Sequence, residues 1–130
     1  MDLGDQGAGT QAQIDLFIRR NPTSVLALAD AASIVWDTDD GVLAKVTLGG
    51  NRNLPNPLNV QAGDVLILEV AQDGTGNRTL TFGNAFRFPA GADPVLSTAA
   101  NARDVLTFLA LSPTELVGGP PVKGLSLIHI

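Results

Sequence analysis

Apolar residues at every second position, in several short runs, restrict this chain more than any other feature. Val42, Ala44, Val46 and Leu48 fall on one side of an extended backbone and Leu43, Lys45 and Thr47 on the other, the pattern of a strand with one buried face. Leu66, Leu68 and Val70 repeat it against Val65, Ile67 and Glu69. Leu80 and Phe82 alternate with Thr79 and Thr81, and Leu106 and Phe108 with Val105, Thr107 and Leu109. Between the runs stand Asp39-Asp40-Gly41, Gly49-Gly50-Asn51, Pro55-Asn56-Pro57, Ala62-Gly63-Asp64 and Phe88-Pro89-Ala90-Gly91. These residue types favour turns through positive φ, a fixed φ or side-chain bonding to the backbone. Short strands punctuated in this way predict an all-β domain, an antiparallel β-sandwich or jelly-roll-like module. Several strands are apolar on both faces, which predicts either central strands covered twice or further burial in an assembly. No exact repeat of solenoid type is present.

With 130 residues, 45% of them hydrophobic and 16% charged, the chain is long enough for one core and too short for two. Zero cysteines exclude a disulfide framework and a thiolate metal site. The net charge of −5 repels a phosphate backbone, and the eight Lys and Arg are scattered, so nucleic acid is not an expected partner. No run approaches the roughly 18 to 20 apolar residues of a membrane span, so no membrane insertion is expected. Asp2 and Asp5 stand where the basic region of a cleaved leader would lie, so none is expected.

Residues 1–30 read as a linker rich in Gly, Asp and Gln, holding one short element. Ile14, Phe17 and Ile18 at i, i+3 and i+4 suit a helix ended by Asn21-Pro22, while Ile14 to Ile18 equally suits an added strand; Val25 to Leu28 suits a short strand. Residues 31–118 form the β-sandwich module and 119–130 a tail. The last six residues, Leu125-Ser126-Leu127-Ile128-His129-Ile130, match the translation of a transposase adapter used in DNA library preparation. The expectation is a fragment from an assembled read, with the native protein continuing beyond about Gly124 and His129 not part of it.

Several spaced motifs occur in one order: Ala31 to Asp37, Val46 to Leu54, Asn56-Pro57, Ala62-Gly63-Asp64, Gln72 to Phe82, Phe86 to Pro89, Pro94 to Asn101 and Asp104 to Phe108. Together, over roughly Ala31 to Gly118, they resemble a domain of tail-fibre, tail-spike or other minor virion proteins of tailed bacteriophages and prophages. The resemblance implies a non-enzymatic virion module assembled in the bacterial host cytoplasm. It also implies contacts with copies of itself or other virion proteins, and a contribution to host attachment. It brings no catalytic residues and no cofactor.

The residues of the signature have readings of their own. Asp73-Gly74, Gly76 and Asn77 tolerate φ > 0, which predicts a hairpin, tight with a bulge or longer, between the strand of Leu66 and that of Arg78. The same loop presents Gln72, Asp73, Asn77 and Arg78, whose amide and guanidinium groups suit a hydroxyl-rich surface glycan. Arg78 and Arg52 have Asp64, Glu69 and Asp104 as candidate partners. Trp36, the single tryptophan, is either a sugar-stacking platform or a core residue. Asp37-Thr38-Asp39-Asp40-Gly41 gathers carboxylates, yet its glycine falls one position early for a calcium loop and no Glu follows at the required distance, so an acidic turn is the expectation and no metal site is assigned. No Ser-His-Asp set is available. Two further readings stand beside the virion module: a cell-surface carbohydrate-binding module using Trp36, and a small hydrolase using Asp37, Asp39 or Asp104.

Overall fold

A computed structural model describes residues 24–125; the helix or strand expected at Ile14–Ile18 and the adapter-like residues after Leu125 lie outside them. Nine strands and no α-helix occur among the described residues: β1 (Leu26–Ala27), β2 (Leu43–Leu48), β3 (Arg52–Leu54), β4 (Val65–Gln72), β5 (Leu80–Phe82), β6 (Phe86–Arg87), β7 (Arg103–Ser112), β8 (Glu115–Gly118) and β9 (Val122–Leu125). One layer is a seven-stranded sheet ordered β1-β2-β4-β7-β8-β6, with β9 also paired to β7. The second layer pairs β3 with β5 and is widened by residues 32–38. There Ile34 N–H donates to Asn53 O at 2.8 Å, and Leu58 N–H to Trp36 O at 2.8 Å.

The all-β sandwich expected from the alternation is present, but its pairing is mixed rather than antiparallel. β1, β2 and β4 run parallel, as do β3 and β5, and β6 and β8; β4 with β7, β7 with β8 and β7 with β9 are antiparallel. The cause lies in the connections. Parallel neighbours cannot be joined by a tight turn, and here the chain leaves one layer, lays a segment in the other, and returns. β1, residues 32–38, β2, β3, β4 and β5 therefore wind as successive coils, although the sequence shows no exact repeat. Gly49-Gly50-Asn51 and Asp39-Asp40-Gly41 arch between layers. The hairpin expected at Asp73–Arg78 is likewise a crossing from β4 to β5, which pair with different partners. The hairpin the fold does contain, β7–β8, turns at Ser112–Glu115 with a register shift after Ala110.

The core sits between the layers, and the period-two pattern supplies it. Ala44, Val46 and Leu48 of β2, Leu66, Leu68 and Val70 of β4, and Leu106, Phe108 and Ala110 of β7 are all buried, facing Ile34, Trp36, Leu54 and Leu80. Each large side chain fully removed from water stabilises the fold by roughly 1.5–3 kcal/mol. Phe86 packs edge-on to Phe108 with ring centroids 4.9 Å apart and to Phe82 at 5.4 Å, geometry that adds about 0.5–1.5 kcal/mol per pair. On the outer face, register aligns Val65, Leu109 and Val117 in one exposed apolar row.

Candidate functional site

Because β1, β2 and β4 are parallel and β7 is antiparallel to β4, the connections after β1, β2 and β4 and the segment before β7 meet at one end of the sandwich. Four of the five residues singled out in the sequence stand there. Gln72 closes β4 and is 4% exposed. Its Nε2 donates to Arg78 O and to Ser97 O, both at 2.9 Å, and its Oε1 accepts Arg78 N–H at 2.9 Å. The amide is thereby used to pin three backbone groups and is not displayed to a ligand.

Asp73 works in the same inward manner. Its Oδ1 accepts Thr75 N–H and Gly76 N–H, each at 3.1 Å, and Arg78 binds the carboxylate through Nε at 3.2 Å and Nη2 at 2.9 Å. The guanidinium is the main cause that holds the Asp73 carboxyl down to about 2, with the two backbone amides adding to it against the opposing effect of desolvation. Arg78 is correspondingly raised. Gly76 has φ +77°, and a Cβ there would lie 2.6 Å from Thr98 O, so both conformation and space require glycine. Gly74, two residues earlier, has nothing within 4 Å of such a Cβ. Asn77 is left-handed at φ 59°, its N–H donates to Thr98 O at 2.8 Å, and its side chain faces solvent.

A second ion pair stands on the preceding coil. Arg52 Nε and Nη2 donate to Asp30 at 2.8 and 3.0 Å, and Asp30 Oδ2 also accepts Gly49 N–H at 3.1 Å. The Arg52 hydrogen bonds hold the Asp30 carboxyl below its ordinary value. The partners expected for these arginines are thus corrected: Asp73 and Asp30 take them, while Glu69 pairs with Arg103 at 3.7 Å and buried Asp104 accepts Ser97 N–H at 2.7 Å and Gly124 N–H at 2.8 Å. Asp30 was missed in the sequence, where the available signal was Gly49-Gly50. A Cβ on Gly49 would lie 2.8 Å from Asp30 Oδ2, and one on Gly50 2.8 Å from Arg52 Nη1.

Trp36 is apart from this end. It is 1% exposed, and its Nε1 donates to Gly41 O at 2.8 Å, so it stands in the core and its ring is not a stacking platform. The acidic segment beside it is a turn: Asp37 Oδ1 accepts Asp39 N–H and Asn59 Nδ2–H, both at 2.9 Å. Among the described residues no group of three or more His, Cys, Asp or Glu is placed to hold a metal ion.

Beside Arg78 opens a cavity of about 240 Å³, bordered by Thr79, Asp93, Pro94, Val95 and Thr98. Fixed donors, free hydroxyls and an apolar wall suit non-covalent recognition of a polar ligand. Comparison with known families gives one finding: the model of the family described as "Putative phage tail fibre C-terminal domain" matches residues 38–111. No curated protein and no solved structure matches the chain.

Proposed function

Because the chain belongs to the phage tail fibre C-terminal domain family, a structural component of the virion, we propose that it is a non-enzymatic module through which the fibre contacts the host surface. The observation that carries this reading is the family match over residues 38–111, which spans β2 to β6 and all but the last residue of β7, with the Asp73–Arg78 pair inside it. Supporting it, the loops at the Arg78 end are braced by side chains acting on backbone, a rigid surface of the kind that binds without large ordering costs. Association with other virion proteins follows from the family. Contact with further copies of the same chain is part of the proposal, supported by the outward row Val65, Leu109 and Val117. So is assembly in the bacterial cytoplasm.

The reading of a cell-surface carbohydrate-binding module loses its platform, since Trp36 is in the core. An antibody raised against the isolated chain should decorate the tail of phage particles that encode it, and excess chain should reduce their adsorption to host cells. Labelling of the capsid, or adsorption unchanged at saturating chain, would overturn the reading.

A further inference from the structure

We infer that the cavity beside Arg78 is a subsite for a single neutral pyranose, an inference that rests on the host-contact reading and specifies its ligand. At about 240 Å³ the cavity is smaller than the ~300–1,000 Å³ clefts that take drug-sized molecules, which suits one ring rather than an oligosaccharide. Its polar groups have unused capacity. Asp73 engages Nε and Nη2 of Arg78, fixing the guanidinium plane and leaving Nη1 without a partner among the described residues. The hydroxyls of Thr79 and Thr98 and the carboxylate of Asp93 have no protein partner among the described residues. A guanidinium donor, a carboxylate acceptor and two hydroxyls that do either provide what adjacent sugar hydroxyls need.

The remaining wall is apolar. Val95 is 75% exposed and adjoins Pro94, and a small aliphatic surface beside polar groups matches the C–H face of a pyranose. The walls are also held in place: Asp104 binds Ser97 N–H, Gln72 binds Ser97 O, and Asn77 N–H binds Thr98 O. Charge then selects among sugars. Arg78 is neutralised by Asp73, Asp93 is not compensated, and the chain carries −5 overall, so a carboxylated or phosphorylated sugar is repelled.

The test is a ¹⁵N NMR titration with the methyl glycosides of glucose, galactose, mannose and N-acetylglucosamine, and with glucuronic and sialic acids. Shifts from at least one neutral glycoside should fall on Thr79, Val95 and Thr98, with little response to the acids. Asp93→Ala and Thr79→Val, whose side chains bind nothing else among the described residues, should each weaken that binding about tenfold while leaving other amide positions unchanged. No shift with any neutral glycoside, shifts elsewhere, or equal response to the acids overturns the inference. Adsorption assays separate the two proposals. A chain that competes for host cells as well with Asp93→Ala as without it sinks the cavity alone, whereas one that never competes sinks host contact itself.

Discussion

Gln72 and Asp73 are adjacent, polar and at a strand end, and on the sequence alone both belong on a display loop. Their side chains instead complete the hydrogen bonding of the backbone around them. That use is invisible to residue type, because an amide that binds a ligand and one that binds a carbonyl have the same composition. Trp36 shows the converse: its burial follows from its place beside Ile34 in the second layer, which alternation alone does not specify. The Asp73 pairing has a pH signature. Its carboxyl titrates at about 2 when folded against the ordinary 3.8, so its contribution to stability is present above pH 4 and disappears as pH falls through that interval. Thermal midpoints measured from pH 6 to pH 2 should fall less steeply for Asp73→Asn than for the parent chain, with Asp30 supplying part of the slope that remains. Superimposable acid limbs would refute the pairing.

Among the elements, β2, β4 and β7 were readable because runs of six or more residues with apolar side chains at every second position, bounded by turn residues, leave little else to fold into. β5, at Leu80–Phe82, was read from the alternation of Leu80 and Phe82 with Thr79 and Thr81, whereas β6, at Phe86–Arg87, is too short to carry a period. Direction of pairing was not readable at all, since side chains alternate identically in parallel and antiparallel strands. What closes the sheet is also local chemistry: Asp104 on β7 ties β9 through Gly124 N–H and the 93–98 segment through Ser97 N–H. Asp104→Ala removes the acceptor of two backbone donors, one on half-buried Ser97 and one on exposed Gly124, each bond worth on the order of 1 kcal/mol. Hydrogen exchange should accelerate at Ser97 and Gly124 while β2 and β4 stay protected. Uniform acceleration, or none, would show that the carboxylate does not hold these segments.

For the molecule as a whole, one interior serves both layers, and Trp36 with Ile34 and Leu54 is its contribution from the smaller one. Trp36→Ala should cost about 3–5 kcal/mol, a large share of the roughly 5–15 kcal/mol that holds a domain folded, readable as a lowered denaturant midpoint. In the parent chain the single tryptophan should fluoresce at the blue wavelengths of a dry indole and shift red on unfolding. Emission already red in the native state would remove it from the interior.

The neighbouring glycines of the crossing after β4 have opposite tolerances. At Gly76 one methyl group collides with Thr98, and at Gly74 it meets open space. A loop built this way leaves position 74 open to added bulk or charge, while the residue that seats it stays locked. Under the host-contact proposal, single substitutions there would change what the module offers a host surface and leave the scaffold intact.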